Sequence, residues 1–330
     1  MSEKNDTSVT KNRPLVSIGH HPIETGQYVI PTKEILKVNS VVKDWVVKRA
    51  SGGIIYGRPR IGKSQALKYM MEVIPRELGD NLPILKTRCR KYKIPSEDTF
   101  FEHLLEDFGH GFPSIGKANK KRSRVSNFLI EKGEKSGLRR VIVFIDEAQR
   151  LVELQYDWLM DIYNDLNEAG ISMTVILIGQ KELLSIRTTM LQQKKAQIIG
   201  RFMTKEYEFS GVKSVDEIKT CLTGYDNFSE FPEKSGWSFT RYFFPEAFEN
   251  GEKLSQFADT IINVFIDIRR EHGLSKNFEI PMQYLTLSIE IALKTSGAHG
   301  HSKEWLTVND WRNAVLGSGY VESEIYMALV

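Results

Sequence analysis

Gly57-Arg58-Pro59-Arg60-Ile61-Gly62-Lys63-Ser64 is the stretch whose reading decides the fold. The octet fits G-x-x-x-x-G-K-[ST]; it follows the apolar run Gly53-Ile54-Ile55-Tyr56 and opens a helical pattern from Lys63 to Met71. A strand, a glycine-bounded turn and a helix start in that order make an anion cradle. The glycines let the backbone wrap around phosphate oxygens, and the N–H groups at the helix start face the negative charge. Lys63 is placed to reach the β and γ phosphates, and the Ser64 hydroxyl to bind Mg²⁺. Gly57, Arg58, Pro59, Arg60, Ile61, Gly62, Lys63, Ser64 and Gln65 are thus the expected nucleotide-binding residues, with ATP and Mg²⁺ as cofactors.

The cradle needs a carboxylate partner, and Asp146-Glu147 supplies one directly after Val141-Ile142-Val143-Phe144-Ile145. That run is apolar on both faces, as a central strand buried between helix layers must be. Asp146 is expected to hold the Mg²⁺ water shell. Glu147 is expected to orient and deprotonate an attacking water, although a glutamate at a helix start also complements the helix dipole. Further strand signals at Ile84 to Thr87, Met173 to Ile178 and Tyr207 to Phe209 alternate with helical patterns, which predicts a parallel sheet flanked by helices.

Outward from this core, residues 1–31 are polar and weakly periodic and read as a flexible N-terminal arm. Residues 32–213 form the α/β nucleotide-binding core. Residues 214–330 read as a helical lid, with helical patterns at 254–271, 281–295 and 307–316 and an aromatic insertion at about 223–252 that is too apolar for a solvated linker. Hydrophobic residues at 41% and charged residues at 26% exclude wholesale disorder, and 330 residues suffice for a core plus a lid. No apolar run approaches the ~18 residues of a membrane span, and no secretory signal is seen, so a cytoplasmic location is expected. The two cysteines, Cys89 and Cys221, suit a reducing compartment. The pair His299 and His301 lacks further ligands at a useful spacing, which argues against a metal site there.

A strand interposed in chain order before the Asp-Glu strand, with Glu147 next to Asp146, resembles the additional-strand branch of P-loop proteins that includes the AAA+ ATPases. The resemblance implies a polar residue sensing the γ phosphate after the next strand, here Gln180. It also implies an arginine supplied to a neighbouring subunit, for which Arg201 in Ile198-Ile199-Gly200-Arg201-Phe202 fits and Arg187 competes. The catalytic set is then Lys63, Glu147, Gln180 and Arg201, with hydrolysis completed in trans. VIVFIDEAQRL at 141–151, GRPRIGKS at 57–64 and IGQKELL at 178–184 resemble the TnsC/TniB group of AAA+ transposition regulators, over about 52–209. Length and the aromatic insertion are most similar to members from CRISPR-associated transposons. This likeness implies a matchmaker that oligomerises on duplex DNA as a ring or filament, a hexamer or heptamer, and links a target-selection protein of the TniQ/Cascade type to the transposase. The family's lid sensor has no clear counterpart among Lys294, His299, His301, Lys303 and Arg312.

A net charge of +3 is too mild to imply nucleic-acid binding, so local clustering must decide. Lys117, Lys120, Lys121, Arg122 and Arg124 place five bases within eight residues without an acid, and such a cluster can neutralise several backbone phosphates. Lys86, Arg88, Arg90, Lys91 and Lys93 form a second patch. No zinc-finger spacing or helix-turn-helix is present, so contact with the double-stranded backbone, not sequence reading, is expected. Other readings are a helicase-loader-like or secretion-linked AAA+ ATPase and a nucleotide-bound adaptor that does not hydrolyse. A two-domain helicase, prompted by DEAQ, fails because Asp146 and Gln197 lie too close in the chain to bracket a second domain.

Overall fold

The computed structural model describes residues 12–79, 81–274 and 278–328. In chain order the helices are α1 (Pro22–Thr25), α2 (Lys33–Val47), α3 (Lys63–Leu78), α4 (Glu97–Asp107), α5 (Ala118–Lys135), α6 (Glu153–Glu168), α7 (Glu182–Gln192), α8 (Ala196–Phe202), α9 (Val215–Asn227), α10 (Phe239–Phe243), α11 (Pro245–Glu249), α12 (Ala258–Glu271), α13 (Met282–Ser296), α14 (Val308–Gly317) and α15 (Tyr320–Ala328). The strands are β1 (Gly52–Tyr56), β2 (Ile84–Arg88), β3 (Arg140–Asp146), β4 (Ser172–Gly179) and β5 (Lys205–Glu208). The chain divides into two compact units, one of Ile35–Pro59 with Lys63–Ser210, the other of Met1–Glu34, Arg60–Gly62 and Gly211–Val330.

The first unit is a five-stranded sheet in the order β2-β3-β4-β1-β5, every pairing parallel. Although β2 precedes β3 in the chain, it lies at the sheet edge; the strand that separates β1 from β3 is β4. The apolar runs explain this placement. β1 is buried throughout and β3 and β4 are buried at all but their first residue, so each must be covered on both faces, whereas β5 reads exposed–exposed–intermediate–exposed and suits the other edge. Register aligns Tyr56 with Gly179 and Glu208, Ile145 with Leu177, and Arg88 with Asp146. Parallel strands in register deliver all their C-terminal ends to one edge, where an open α/β sheet binds ligands.

The second unit is helical, and its core is aromatic. Tyr225, Phe239, Tyr242, Phe243 and Phe244 from the aromatic stretch are buried and packed with residues of α12, α13 and α14, and Trp237 is buried as well. The insertion therefore covers its own chain, apart from exposed Phe228. Helix α15 lies beyond the three helical patterns read in the sequence.

Some residues of the expected arm are also core. His21 and Ile23 are fully buried, His21 stacks on Tyr242, and Tyr28 donates to Glu290 at 2.8 Å and shares a hydrogen bond with Tyr225. His21, Ile23, Tyr28 and Ile30 are thus packed where a mobile arm was expected, while Leu15 and Ile18 are exposed. A polar segment can be ordered when its few apolar groups fill a cavity built by distant sequence; residues 1–11 lie outside the described residues. No described helix is long and apolar enough to cross a membrane.

Candidate functional site

The phosphate-binding turn leaves β1 at Tyr56 and enters α3 at Lys63. Two residues of the turn take positive φ, Arg60 at 65° and Gly62 at 107°. Alternating hand in this way points successive N–H groups inward and makes an anion-binding concavity. The Lys63 ammonium folds back and donates to the carbonyls of Gly57 (2.7 Å) and Arg58 (2.6 Å). Desolvation lowers its pKa to about 8, opposed by the charges of Glu147, Asp146 and Glu182. Ser64 is exposed, and the Gln65 side-chain oxygen is buried without a hydrogen-bond partner. The group this turn fits is a polyphosphate: the Lys63 cation and the backbone N–H groups at the start of α3 converge on one concavity.

Asp146 ends β3, buried, with its Oδ1 accepting the Glu147 N–H at 2.9 Å and its Oδ2 3.9 Å from the Lys86 ammonium. Glu147 takes a left-handed backbone, φ 56° and ψ 34°, sparsely used by side chains other than glycine. Its Oε2 accepts from Gln149 Nε2 at 3.1 Å and pairs with Arg150 at 3.0 Å. Gln180 directly follows β4 and donates its main-chain N–H to Gln149 Oε1 at 3.3 Å. Lys63, Asp146, Glu147 and Gln180 therefore share one edge of the sheet. Gln149 and Arg150 were missed. Their signal was their spacing two and three residues after Glu147, which only the turn at Ala148–Arg150 folds back onto the carboxylate.

Arg187 is tied to Glu206 at 2.6 Å, whereas the Arg201 guanidinium lies 4.4 Å over the Tyr163 ring. Helix α8, which carries Arg201, packs closely on β1: a Cβ on Gly52 would sit 2.7 Å from the Arg201 carbonyl. Helix α8 thus holds Arg201 half-buried against Tyr163, with no carboxylate partner among the described residues.

The basic cluster at the start of α5 is divided by acids of α4 and α6. Lys121, expected among the duplex-facing residues, is instead 2% exposed and held by Asp98 (2.8 Å) and Glu102. Arg122 pairs with Asp161 at 2.7 Å, and Arg124 donates to the carbonyls of Phe112 (2.8 Å) and Ile115 (2.9 Å). Lys117 and Lys120 stay exposed. Helices α4 and α6 pack alongside α5, and their carboxylates, 23 and 19 residues before Lys121 and 39 after Arg122, lie outside the window in which the cluster looks free of acids. In the second patch Arg90 faces Glu106 and Asp107, while Arg88, Lys91 and Lys93 are exposed. Of the lid residues, Lys294 lies near Glu290, His299 bonds Arg13 and Tyr242, Lys303 pairs with Asp310 and Arg312 with Glu271, which leaves His301 with an exposed side chain.

Residues 47–186 match the family model described as "AAA domain". No curated protein matches the chain in sequence. Among solved structures, the ORC2 protein of Aeropyrum pernix in its ADPNP–ADP complexes is similar at a TM-score of 0.62 and 13% identity, over 90% of this chain and 71% of that one. The ADP form of the same protein gives 0.58 and 13%, over 89% and 71%. Sheet order, phosphate turn and matched segment agree: the chain has an AAA+ P-loop NTPase fold, a five-stranded parallel sheet flanked by helices with a helical C-terminal region.

Proposed function

We propose that this protein is an ATP-hydrolysing AAA+ regulator of DNA transposition that assembles on duplex DNA and links a target-selection protein to the transposase. Its hydrolytic part is carried by the convergence of Lys63, Asp146, Glu147 and Gln180 on one sheet edge. Lys63 binds the β and γ phosphates, Ser64 and Asp146 hold Mg²⁺, Glu147 takes a proton from the attacking water and Gln180 senses the γ phosphate. When bound, Mg²⁺ supplies positive charge that offsets the phosphates. Arg201 serves the neighbouring copy's site, an arrangement supported by the close packing of α8 on β1 and by the lack of a carboxylate partner among the described residues. The same fold in a structure described as ADPNP–ADP complexes supports nucleotide binding.

For DNA, the support is the exposure of Lys117 and Lys120 at the start of α5, of Arg88 at the end of β2, and of Lys91 and Lys93 beyond it. These bases contact backbone phosphates, with affinity falling as salt rises. The transposition assignment rests on the likeness of the motif strings to TnsC/TniB regulators. A second reading, an AAA+ loader of the replication-initiator type, is favoured by the shape similarity to ORC2.

Electron microscopy of the chain with duplex DNA and a non-hydrolysable ATP analogue tests the proposal. Nucleotide-dependent rings or filaments on DNA are expected for the regulator, and Lys63→Ala should abolish them. Monomers under all conditions, or assemblies indifferent to Lys63→Ala, would overturn it; retention of a helicase in place of a transposase would favour the loader.

A further inference from the structure

Two strand ends meet at the amide of Gln149. Its Nε2 donates to Glu147 Oε2 at 3.1 Å, and its Oε1 accepts the Gln180 N–H at 3.3 Å. Gly179, the last residue of β4, has no side chain where one would collide: a Cβ there would run into Gln149 Oε1 and lie 2.8 Å from Leu183 Cδ1. The amide is therefore seated in a slot left open by a glycine, with both its polar atoms used.

The distribution of donors on Glu147 is uneven. Gln149 and Arg150 both engage Oε2, and Oε1 has no partner among the described residues. A carboxylate acting as a base needs one oxygen fixed and the other presented, because a small misplacement of a catalytic group costs much of its effect. The left-handed backbone at Glu147 adds to the case, since non-glycine residues persist there only when their surroundings impose it.

We propose that Gln149 is a positioning residue for hydrolysis: it anchors Glu147 through Oε2, leaves Oε1 to receive the proton of the attacking water, and ties that carboxylate to the end of β4. In the step it serves, the water oxygen bonds to the γ phosphorus as the bond to the β,γ-bridging oxygen breaks. ADP leaves with the bonding pair and the water proton passes to Oε1. A displacement of Gln180 by the γ phosphate is passed through the Gln149 amide to Glu147, so sensing and proton transfer share one side chain. The inference rests on the hydrolytic reading above.

The test compares steady-state phosphate release and titration with a fluorescent ADP analogue for the full chain and for Glu147→Gln, Gln149→Ala and Gly179→Ala. Gln149→Ala should lower kcat by about 10- to 100-fold, the scale of a misplaced catalytic group. Its nucleotide Kd should stay within about twofold of wild type, since only a transition-state interaction is lost. Gly179→Ala should reproduce that split by displacing the amide without altering it. Wild-type kcat in Gln149→Ala or Gly179→Ala, or kcat and affinity falling together, would overturn the role. If Glu147→Gln also hydrolyses at the wild-type rate, the hydrolytic reading itself falls; if Glu147→Gln is inactive while Gln149→Ala is fully active, only the positioning role does.

Discussion

Lys63 carries the clearest pH dependence of any single residue in the site. Desolvation lowers its pKa to about 8, so above that pH the free protein holds it partly neutral. Phosphate charges beside it favour the ammonium, so on the proposed reading nucleotide binding at about pH 8.5 must take up a proton, and affinity must fall as pH rises further. Isothermal titration in buffers of different ionisation enthalpy reads that uptake; proton release would contradict it. The motif was legible because its spacing is local: eight consecutive residues fix the turn, the helix start and the cation. The turn at Ala148–Arg150 was not, because side chains two and three residues apart meet only after the backbone reverses at Glu147.

Helix α5 separates two roles that look identical along the sequence. Lys121 is buried on Asp98 and Glu102, while Lys120 one residue earlier is exposed. Lys121→Ala should therefore reduce stability by about 1–3 kcal/mol, the range for removing a hydrogen-bonded charged partner, as measured by denaturant titration. Lys120→Ala should leave stability unchanged and, if α5 faces DNA, reduce the slope of log affinity against log salt by about 1. Equal effects of the two substitutions on either measurement would show that the helix does not divide them. A run of bases records charge but not which face of the helix is spent on neighbours. The 100° step between consecutive helical residues decides that, together with the acids of α4.

Across the whole molecule, the unit containing the N-terminal and C-terminal segments depends on residues far apart in the chain. His21 is enclosed by Phe231, Phe239, Tyr242 and Phe243, and its Nδ1 accepts the Ile23 N–H at 3.2 Å. Desolvation, reinforced by Arg13 and His299, lowers its pKa to about 4. An unfolded histidine titrates near 6.5, so between about pH 6.5 and 4 the unfolded chain binds the extra proton; stability present at neutral pH is lost as the solution is acidified. Thermal melts between pH 7 and pH 5 should display that fall, and His21→Phe should flatten it; an unchanged slope would mean that other groups dominate. The sequence by itself determined the phosphate turn, the Asp-Glu strand and the alternation that gives a parallel sheet, because each is set by neighbours within a few residues or by strand and helix periodicity. Only the tertiary structure decided that β4 and not β2 separates β1 from β3, that Ile23 and Ile30 join the aromatic stretch in one core, and that Lys121 is buried. These depend on which distant surfaces meet, and burial and charge pairing between remote segments leave no periodic mark in either partner.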